Sequence, residues 1–360
     1  MRVESTKSDG AFVRAEMAEQ PEVLERLLAR REELRSELQL FKNKPLRGVI
    51  LAARGSSDNA ANYARYVLEA SLGCPASLSA NSLFTRYHCR TRLNDWLVVG
   101  VSQSGATPEV TEVLESARAL GARTLALTND ADSPLAVAAD SIIAFGAGVE
   151  RAVPATKTYT ATLMAVALVA DIIGTAPWAP GALDRIPEHV ATTLQWTEDL
   201  QAAVELLAVG APSLHLGRGF LYCAALESAL KMREAARLPV QGFSTSDFLH
   251  GPIAASGADT VAVCHVGSGP TREDSLVAAD LLAARGAKIV AISSDSEMNS
   301  RGGASGSAAS IGLVRVPEIE ESLAAIVHAI RGQQFAVEVA LARGLDPDNP
   351  AGLTKVTPTS

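Results

Sequence analysis

The chain is poor in aromatic residues: Phe, Trp and Tyr make up 4 % of its 360 residues, against 48 % hydrophobic residues in all. Its core must therefore be packed from small and aliphatic side chains, which lets helices lie close on sheets. Cysteines are only four, Cys74, Cys89, Cys223 and Cys264, with no CxxC spacing. That argues against a structural zinc site and a disulfide framework, and leaves reduced thiols. No metal ligand set and no cofactor motif is read. Long apolar runs are missing as well. The longest stretch, residues 161–173, is interrupted by Thr162 and Asp171 and is too short to span a bilayer. Residues 1–20 contain no apolar segment of a secretory signal, so the expectation is a cytoplasmic chain without membrane contact. Finally, there is no excess of basic charge. With 32 Lys and Arg against 40 Asp and Glu, the net charge is −8. A nucleic-acid partner needs a basic stripe and is not expected. A small anion is still allowed, because a nest of backbone N–H groups binds phosphate even in an acidic protein.

What is present points to two α/β domains, the number that this length suggests. Residues 1–15 are polar and read as a disordered leader. Residues 17–41 read as one amphipathic helix, with Leu24, Leu27, Leu28, Leu34, Leu38 and Phe41 at helical spacing, ended by Lys44-Pro45. Short apolar strands then alternate with helices: a strand from Arg47, the turn Gly55-Ser56-Ser57, a helix to about Leu72, a strand from Asp95, the turn Ser102-Gln-Ser-Gly-Ala-Thr-Pro, a helix from Pro108 and a strand after Gly121. Such alternation predicts a parallel sheet covered on both faces. The series then returns. Arg54-Gly55 and Arg218-Gly219 are 164 positions apart, as are Asp95 and Asp259, while Gly121 and Gly286 are 165 apart. Recurrence at one offset reads as a duplicated domain. The expected organisation is a leader and helix over 1–45, a first domain over 46–176, a linker with a helix near 189–207 over 177–210, a second domain over 211–345 and a non-helical tail over 346–360. The small-residue stretch from Arg301 to Ser307 reads as a surface loop.

The turn from Ser102 to Pro108 has the makings of a phosphate cradle. It follows a buried strand and opens a helix, with Thr107 suited to the N-cap and Pro108 to the first helical position. Unpaired N–H groups and the positive dipole end would face an anion, and Ser102, Gln103, Ser104 and Thr107 add side-chain donors. No Walker GK[ST] element is present, so a nucleoside triphosphate is not implied. The alternative is an ordinary capped turn. Ser56 and Ser57, on the turn of a neighbouring strand, either reach the same ligand or cap their own helix. The second copy carries Gly267-Ser-Gly-Pro-Thr at the matching place, with only Ser268 and Thr271 as hydroxyls. The first copy is thus expected to hold the anion.

Acid–base candidates cluster in the second copy. Glu227, Lys231 and Glu234 lie at i, i+4 and i+7 of one helix and face one way, either as a surface salt-bridge ladder or as part of a site near the strand ends. His250-Gly-Pro marks a tight turn, where a histidine is either simply exposed or placed for proton transfer near neutral pH. Thr156 opens the last helix of the first copy, and Lys355 sits in the tail.

Gly55-Ser-Ser, Ser102-Gln-Ser-Gly-Ala-Thr, Ala155-Thr-Lys, Leu226-Glu-Ser-Ala-Leu-Lys, Leu249-His-Gly-Pro and Leu353-Thr-Lys-Val-Thr occur in this order. Together they resemble the two-SIS-domain sugar isomerases, with the isomerase half of glucosamine-6-phosphate synthase and the SIS-type glucosamine-6-phosphate deaminases as the nearest families. The resemblance covers roughly residues 17–360. It implies two tandem SIS domains, each a parallel sheet sandwiched by helices in a flavodoxin-like three-layer α/β fold. It further implies that Ser57, Ser102, Gln103, Ser104 and Thr107 bind the substrate phosphate, with Ser56 beside them. Glu234 matches the base that moves a proton between C1 and C2, and His250 the residue that aids ring opening. Glu227 and Lys231 match its neighbours, Ala155 and Thr156 the contacts to the sugar, and Lys355 a tail lysine that closes over it. No cofactor is implied.

The departures narrow the activity. The synthase carries an amino-terminal glutaminase with a cysteine nucleophile, whereas here residue 2 is Arg and the first cysteine is Cys74. Arg54 stands where the synthase has Cys, Ala106 where it has Glu and Leu249 where it has Lys. The Arg-Gly-Ser-Ser form is closer to the deaminases, so release of ammonia from glucosamine-6-phosphate is the expected direction, with a small sugar phosphate as partner. Two alternatives stand beside it: a deglycase of phosphorylated fructosamines on the same scaffold, and a sugar-phosphate sensor without catalysis. The resemblance also implies a homodimer in which His250 of one chain serves Glu234 of the other.

Overall fold

The computed structural model describes residues 9–42, 45–295 and 311–355. Four short helices come first: α1 (Ala11–Ala18), α2 (Gln20–Ala29), α3 (Arg31–Glu37) and α4 (Gln39–Lys42). Then follow β1 (Gly48–Ala52), α5 (Ser56–Leu72), β2 (Ala76–Leu78), α6 (Asn81–Thr85), β3 (Trp96–Val101), α7 (Pro108–Ala119), β4 (Arg123–Thr128), α8 (Pro134–Ala138), β5 (Ser141–Ala144) and α9 (Lys157–Ile173). Helices α10 (Ile186–Gln195) and α11 (Gln201–Ala208) lead to β6 (Ser213–Gly217), α12 (Tyr222–Ala235), β7 (Gln241–Ser244), α13 (Thr245–Leu249), β8 (Val261–His265), α14 (Arg272–Ala284), β9 (Lys288–Ser293), β10 (Ile311–Arg315) and α15 (Glu321–Ala342).

Two five-stranded parallel sheets result, ordered β2-β1-β3-β4-β5 and β10-β9-β8-β6-β7. Read from the opposite edge, the second order repeats the first strand for strand, so the duplication seen in the spacing is a duplication of topology. The glycines of the repeat match too. Gly55 and Gly219 have φ of 61° and 57°, and Gly121 and Gly286 have 92° and 87°, a region that favours glycine. Such βαβ sheets are covered on both faces, and β3, β4, β8 and β9 are accordingly buried almost throughout.

The chain divides into two compact units. One holds residues 1–19, 151–156 and 185–353, and the other residues 20–150, 157–184 and 354–360. In the unit with the first sheet, α9 is buried along nearly its whole length between α5 and α2. In the unit with the second sheet, α15 does the same work against α12, α10 and α11.

The single helix expected over 17–41 is instead α2, α3 and α4, with α1 ahead of them. Pro21 lacks the N–H that would continue the α1 ladder. The three later helices follow the flank of α9, a path one straight rod would not take, and keep Leu24, Leu27, Leu34, Leu38 and Phe41 buried. Residues 11–15, expected as part of a disordered leader, are helical. The Asp348 carboxylate accepts from the N–H groups of Phe12 (3.3 Å) and Val13 (2.8 Å), capping α1 across more than 330 positions. The helix expected near 189–207 is split in two at Trp196, whose extended backbone presents its carbonyl to the fully buried Arg331. The tail is non-helical over residues 346–355, as expected. The loop expected at Arg301–Ser307 and residues 1–8 of the leader lie outside the described residues.

Candidate active site

In the first sheet, β1 and β3 are neighbours, so the turns that follow them open at one carboxyl edge. After β3, Ser102 is buried while Gln103, Ser104 and Thr107 are half-buried. Gly105 turns the chain with φ of 60°, and a Cβ there would lie 2.0 Å from the Ser133 hydroxyl. Thr107 is the N-cap of α7 and Pro108 its first residue, yet the Thr107 hydroxyl makes no cap bond. It pairs with Ser102 Oγ at 2.9 Å, and Ser104 Oγ accepts from the Ala106 N–H at 3.2 Å. The cap N–H groups and three hydroxyls are thus gathered on one short arc, as a phosphate site requires. After β1, Gly55 has φ of 61°, and Ser56 and Ser57 open α5 half-buried with no side-chain cap. Arg54 binds the Glu109 carboxylate through two bonds of 2.8 and 2.7 Å, tying this turn to the first turn of α7. Burial pushes the Asp58 carboxyl up, opposed by Arg54. All six expected phosphate contacts lie on these two turns.

In the other unit, α12 carries the acid–base candidates. They are no surface ladder. The side chains of Glu227 and Lys231 are 2 % exposed and that of Glu234 is 23 % exposed. The Lys231 ammonium sits 3.4 Å from Glu227 and is also bonded to Glu234. Two carboxylates therefore share one desolvated cation, an arrangement that fixes side-chain direction and is costly to break. Thr156, Lys231 and Gln333 line one small cleft, and the Thr156 carbonyl accepts from Gln333 Nε2 at 3.3 Å. Ala155, beside it, is half-buried. His250 stands exposed on the turn after α13, and among the described residues no hydrogen bond joins it to Glu234.

Sequence reasoning missed three features. Glu321, at the start of α15, places its carboxylate on the turn after β8, where it accepts from the Thr271 N–H (3.3 Å) and hydroxyl. A Cβ at Gly269 would lie 2.2 Å from Glu321 Oε2, and one at Gly267 2.8 Å from its Cγ. The second copy's cradle is therefore filled by the chain's own carboxylate. Its only signal in the sequence is the acidic pair Glu320-Glu321 before an apolar helix. Second, Lys355 is held by the buried Glu150, 205 positions away. Third, His215, His265 and His328 are buried together, with ring centroids 6.0 and 5.5 Å apart. Burial lowers all three pKa values, that of His265 to about 3. No group of three or more His, Cys, Asp or Glu among the described residues is placed to hold a metal ion. Among the same residues no helix is long and apolar enough to cross a membrane.

The two sheets and their turns agree with one family. Residues 45–171 and 214–343 each match the SIS domain. The chain belongs to the SIS-domain family. Among curated relatives, the glutamine–fructose-6-phosphate aminotransferase (isomerizing) of Methanothermobacter thermautotrophicus is 30 % identical over 309 residues, which is 85 % of this chain and 51 % of that protein. The chain thus spans about half the length of the relatives it matches, their SIS portion. A candidate phosphosugar isomerase from Silicibacter pomeroyi superposes with a TM-score of 0.79 at 28 % identity, over 93 % of this SIS protein and 99 % of the other. The glucosamine-6-phosphate deaminase of Thermotoga maritima shares the fold with a TM-score of 0.68 at 22 % identity, over 94 % and 99 % of the two chains.

Proposed function

We propose that this chain is an amino-sugar-phosphate deaminase and isomerase, acting in the cytoplasm on glucosamine-6-phosphate and water to give fructose-6-phosphate and ammonia. The observation that carries the reading is the array on α12. An ion pair to a buried lysine orients Glu234, and its partial exposure lets a substrate reach it. An oriented carboxylate is what proton transfer between two adjacent carbons needs, and a well-placed group of this kind contributes roughly 10²–10⁴-fold. His250 assists opening of the sugar ring. Glu234 takes the proton from C2 and returns it to C1 through an enamine-like intermediate, leaving an imine at C2. Water hydrolyses the imine and ammonia departs. The serine-rich turns hold the phosphate, whose remote binding energy positions the reacting carbons.

The test is a panel of glucosamine-6-phosphate, galactosamine-6-phosphate, fructosamine phosphates and glutamine with fructose-6-phosphate, read as free ammonia, free amine and product sugar. Ammonia from glucosamine-6-phosphate is expected, with no glutamine-dependent synthesis. Amine release from fructosamine phosphates alone would move the substrate to the deglycase class, and no turnover on any sugar would remove the catalytic reading.

The exposure of His250, unbonded to Glu234, supports an active site completed by a second copy in a homodimer. Inactive His250→Ala and Glu234→Gln chains, mixed so that dimers re-form, should regain about a quarter of wild-type activity by counting sites under two-fold symmetry. Confirmed subunit exchange without recovery would assign the histidine to its own chain.

A further inference from the structure

Lys355 is held by the most enclosed carboxylate of its unit. The Glu150 side chain is 0 % exposed, and the Lys355 side chain 24 %. Glu150 Oε1 accepts from the Thr158 N–H at 3.1 Å, and Oε2 accepts from the Thr158 hydroxyl at 2.7 Å and from Lys355 Nζ at 2.6 Å. Thr158 is the second residue of α9, so the carboxylate lies on that helix's positive end, supplied from eight positions upstream. The loop bearing Glu150 is itself pinned. Asn129 accepts from the Ala147 N–H at 2.9 Å and donates to the Gly148 carbonyl at 2.8 Å, and the Phe145 N–H donates to Thr128 at 2.8 Å. The tail lysine is thus supported by a strand end, a bonded loop and a long buried helix.

We propose that Glu150 is a positioning residue that anchors the Lys355 ammonium, so that the tail lysine is presented in one fixed place when substrate is bound. The anchoring follows from the geometry, and its use in turnover rests on the function proposed above. A charged hydrogen bond to a preorganised, buried acceptor costs little further ordering once the acceptor is built. The bond to Lys355 thus converts a short segment outside any helix or strand into a placed functional group. Charge alone would not do this, since exposed lysine pairs contribute little.

Two readouts separate anchoring from catalysis. Trypsin cleavage after Lys355 releases residues 356–360, which mass spectrometry detects without any substrate. Glu150→Gln keeps an acceptor for Thr158 but removes the charge. It should speed this cleavage about ten- to a hundred-fold, the factor a charge-assisted bond contributes to a local opening equilibrium. Cleavage elsewhere should be unaltered. An unchanged rate at Lys355 would overturn the anchoring, whether or not the wild type is active. In turnover, Glu150→Gln should lower kcat by up to about 10²-fold, the cost of misplacing a functional group by an ångström. Competitive inhibition by inorganic phosphate should not change, because the phosphate turns are untouched. Lys355→Met should lower kcat in the wild type and do nothing more in the Glu150→Gln chain. Multiplicative losses in the double variant would overturn the positioning role. A wild type inactive on the whole sugar panel would overturn the function proposed above and leave the cleavage result to decide the anchoring.

Discussion

The two halves of this chain share a strand order and a set of left-handed glycines, but their equivalent turns differ in what occupies them. After β3, Gly105 makes room for Ser133 behind the turn, and among the described residues the hydroxyls of Ser102, Ser104 and Thr107 bond to one another and to a neighbouring backbone N–H. After β8, Gly267 and Gly269 make room for Glu321, whose carboxylate takes the Thr271 N–H and hydroxyl. One fold therefore offers the same anion-binding corner twice and fills one with its own side chain. A carboxylate and a phosphate are both anionic acceptors, and a helix N-terminus does not distinguish them. Duplication thus gives a second copy that is free to specialise. Here it carries α12 with the ion-paired Glu227, Lys231 and Glu234, and the first copy leaves its turn open.

The largest effect should come from Gly105→Ala. The new Cβ would meet Ser133 Oγ at 2.0 Å and its Cβ at 2.3 Å, in a backbone region costly to residues other than glycine. Ser133 cannot yield easily, since its hydroxyl caps α8 and donates to the Asp130 carbonyl at 2.7 Å. Strain and overpacking together should cost roughly 2–6 kcal/mol. Chemical denaturation should show the loss, with protection falling first around β3 and α8. A variant as stable as the wild type would mean the turn is not built as described.

Acid should also separate the halves. His215, His265 and His328 lie in the unit with the second sheet, and burial holds their pKa values down, that of His265 to about 3. Repulsion by Arg233 and Arg331 lowers His215 and His328 further. An unfolded histidine titrates near 6.5, so the unfolded chain binds more protons below that pH. Their contribution to stability is whole above about 6.5 and falls as the pH drops below it, for His265 down to about 3, at most about 1.4 kcal/mol per pH unit for each histidine. Hydrogen exchange at pH 7 and pH 5 should show β6, β8 and α15 losing protection ahead of β1, β3 and β4. Equal loss in both sheets would remove the histidines as the cause.

Much of this organisation could be read from the sequence, and the reasons for what could not are physical. Strands β1, β3 and β4, their counterparts β6, β8 and β9, and the helices α5 and α7 follow from apolar runs, Gly turns and a Thr-Pro start, all local signals, whereas the short edge strands β2, β5, β7 and β10 were not read. The duplication was visible because Arg54-Gly55 and Arg218-Gly219 keep one offset. The candidate site was legible as residue types, since Ser102 to Thr107 are contiguous and Glu227, Lys231 and Glu234 share a helix face. Their burial was not, because spacing alone fits a solvated face equally well. Features made by distant partners left no local trace. Asp348 caps α1, Glu150 holds Lys355, and Arg331 fixes the break at Trp196. Each joins side chains that only the finished fold brings together.

Smaller effects belong to single groups of the open turn. Ser104→Ala and Thr107→Ala each remove a hydroxyl from the arc proposed to hold the phosphate. A hydrogen bond to a charged group is worth about 1.5–3 kcal/mol, so the KM for a sugar phosphate should rise by roughly ten- to a hundred-fold. The phosphate changes little in the reaction, so kcat should hold. A fall in kcat at constant KM would place these hydroxyls elsewhere. In the filled turn, Glu321→Gln keeps the shape but exchanges a charged acceptor for a neutral one. It should cost about 1–2 kcal/mol of stability, measured by thermal melting, and leave KM alone. A rise in KM to match Thr107→Ala would mean that both turns serve the ligand.

Ser268→Ala should do least, and for that reason it tests the comparison most cleanly. Ser268 is the residue of the filled turn that corresponds to the serines of the open one. Its hydroxyl donates to the Ile319 carbonyl at 3.0 Å, and the residue is exposed. Water can replace that bond at once, so the substitution should fall within about 0.5 kcal/mol in stability. With Glu321 occupying the corner, Ser268 has no anion to meet, and KM should not move. Ser104→Ala makes the same chemical change in the other copy and should raise KM. Measured side by side, the two variants ask whether identical chemistry at equivalent turns has unequal consequences. Equal rises in KM would show that Glu321 does not close its turn, and the division of labour between the copies would fail with it.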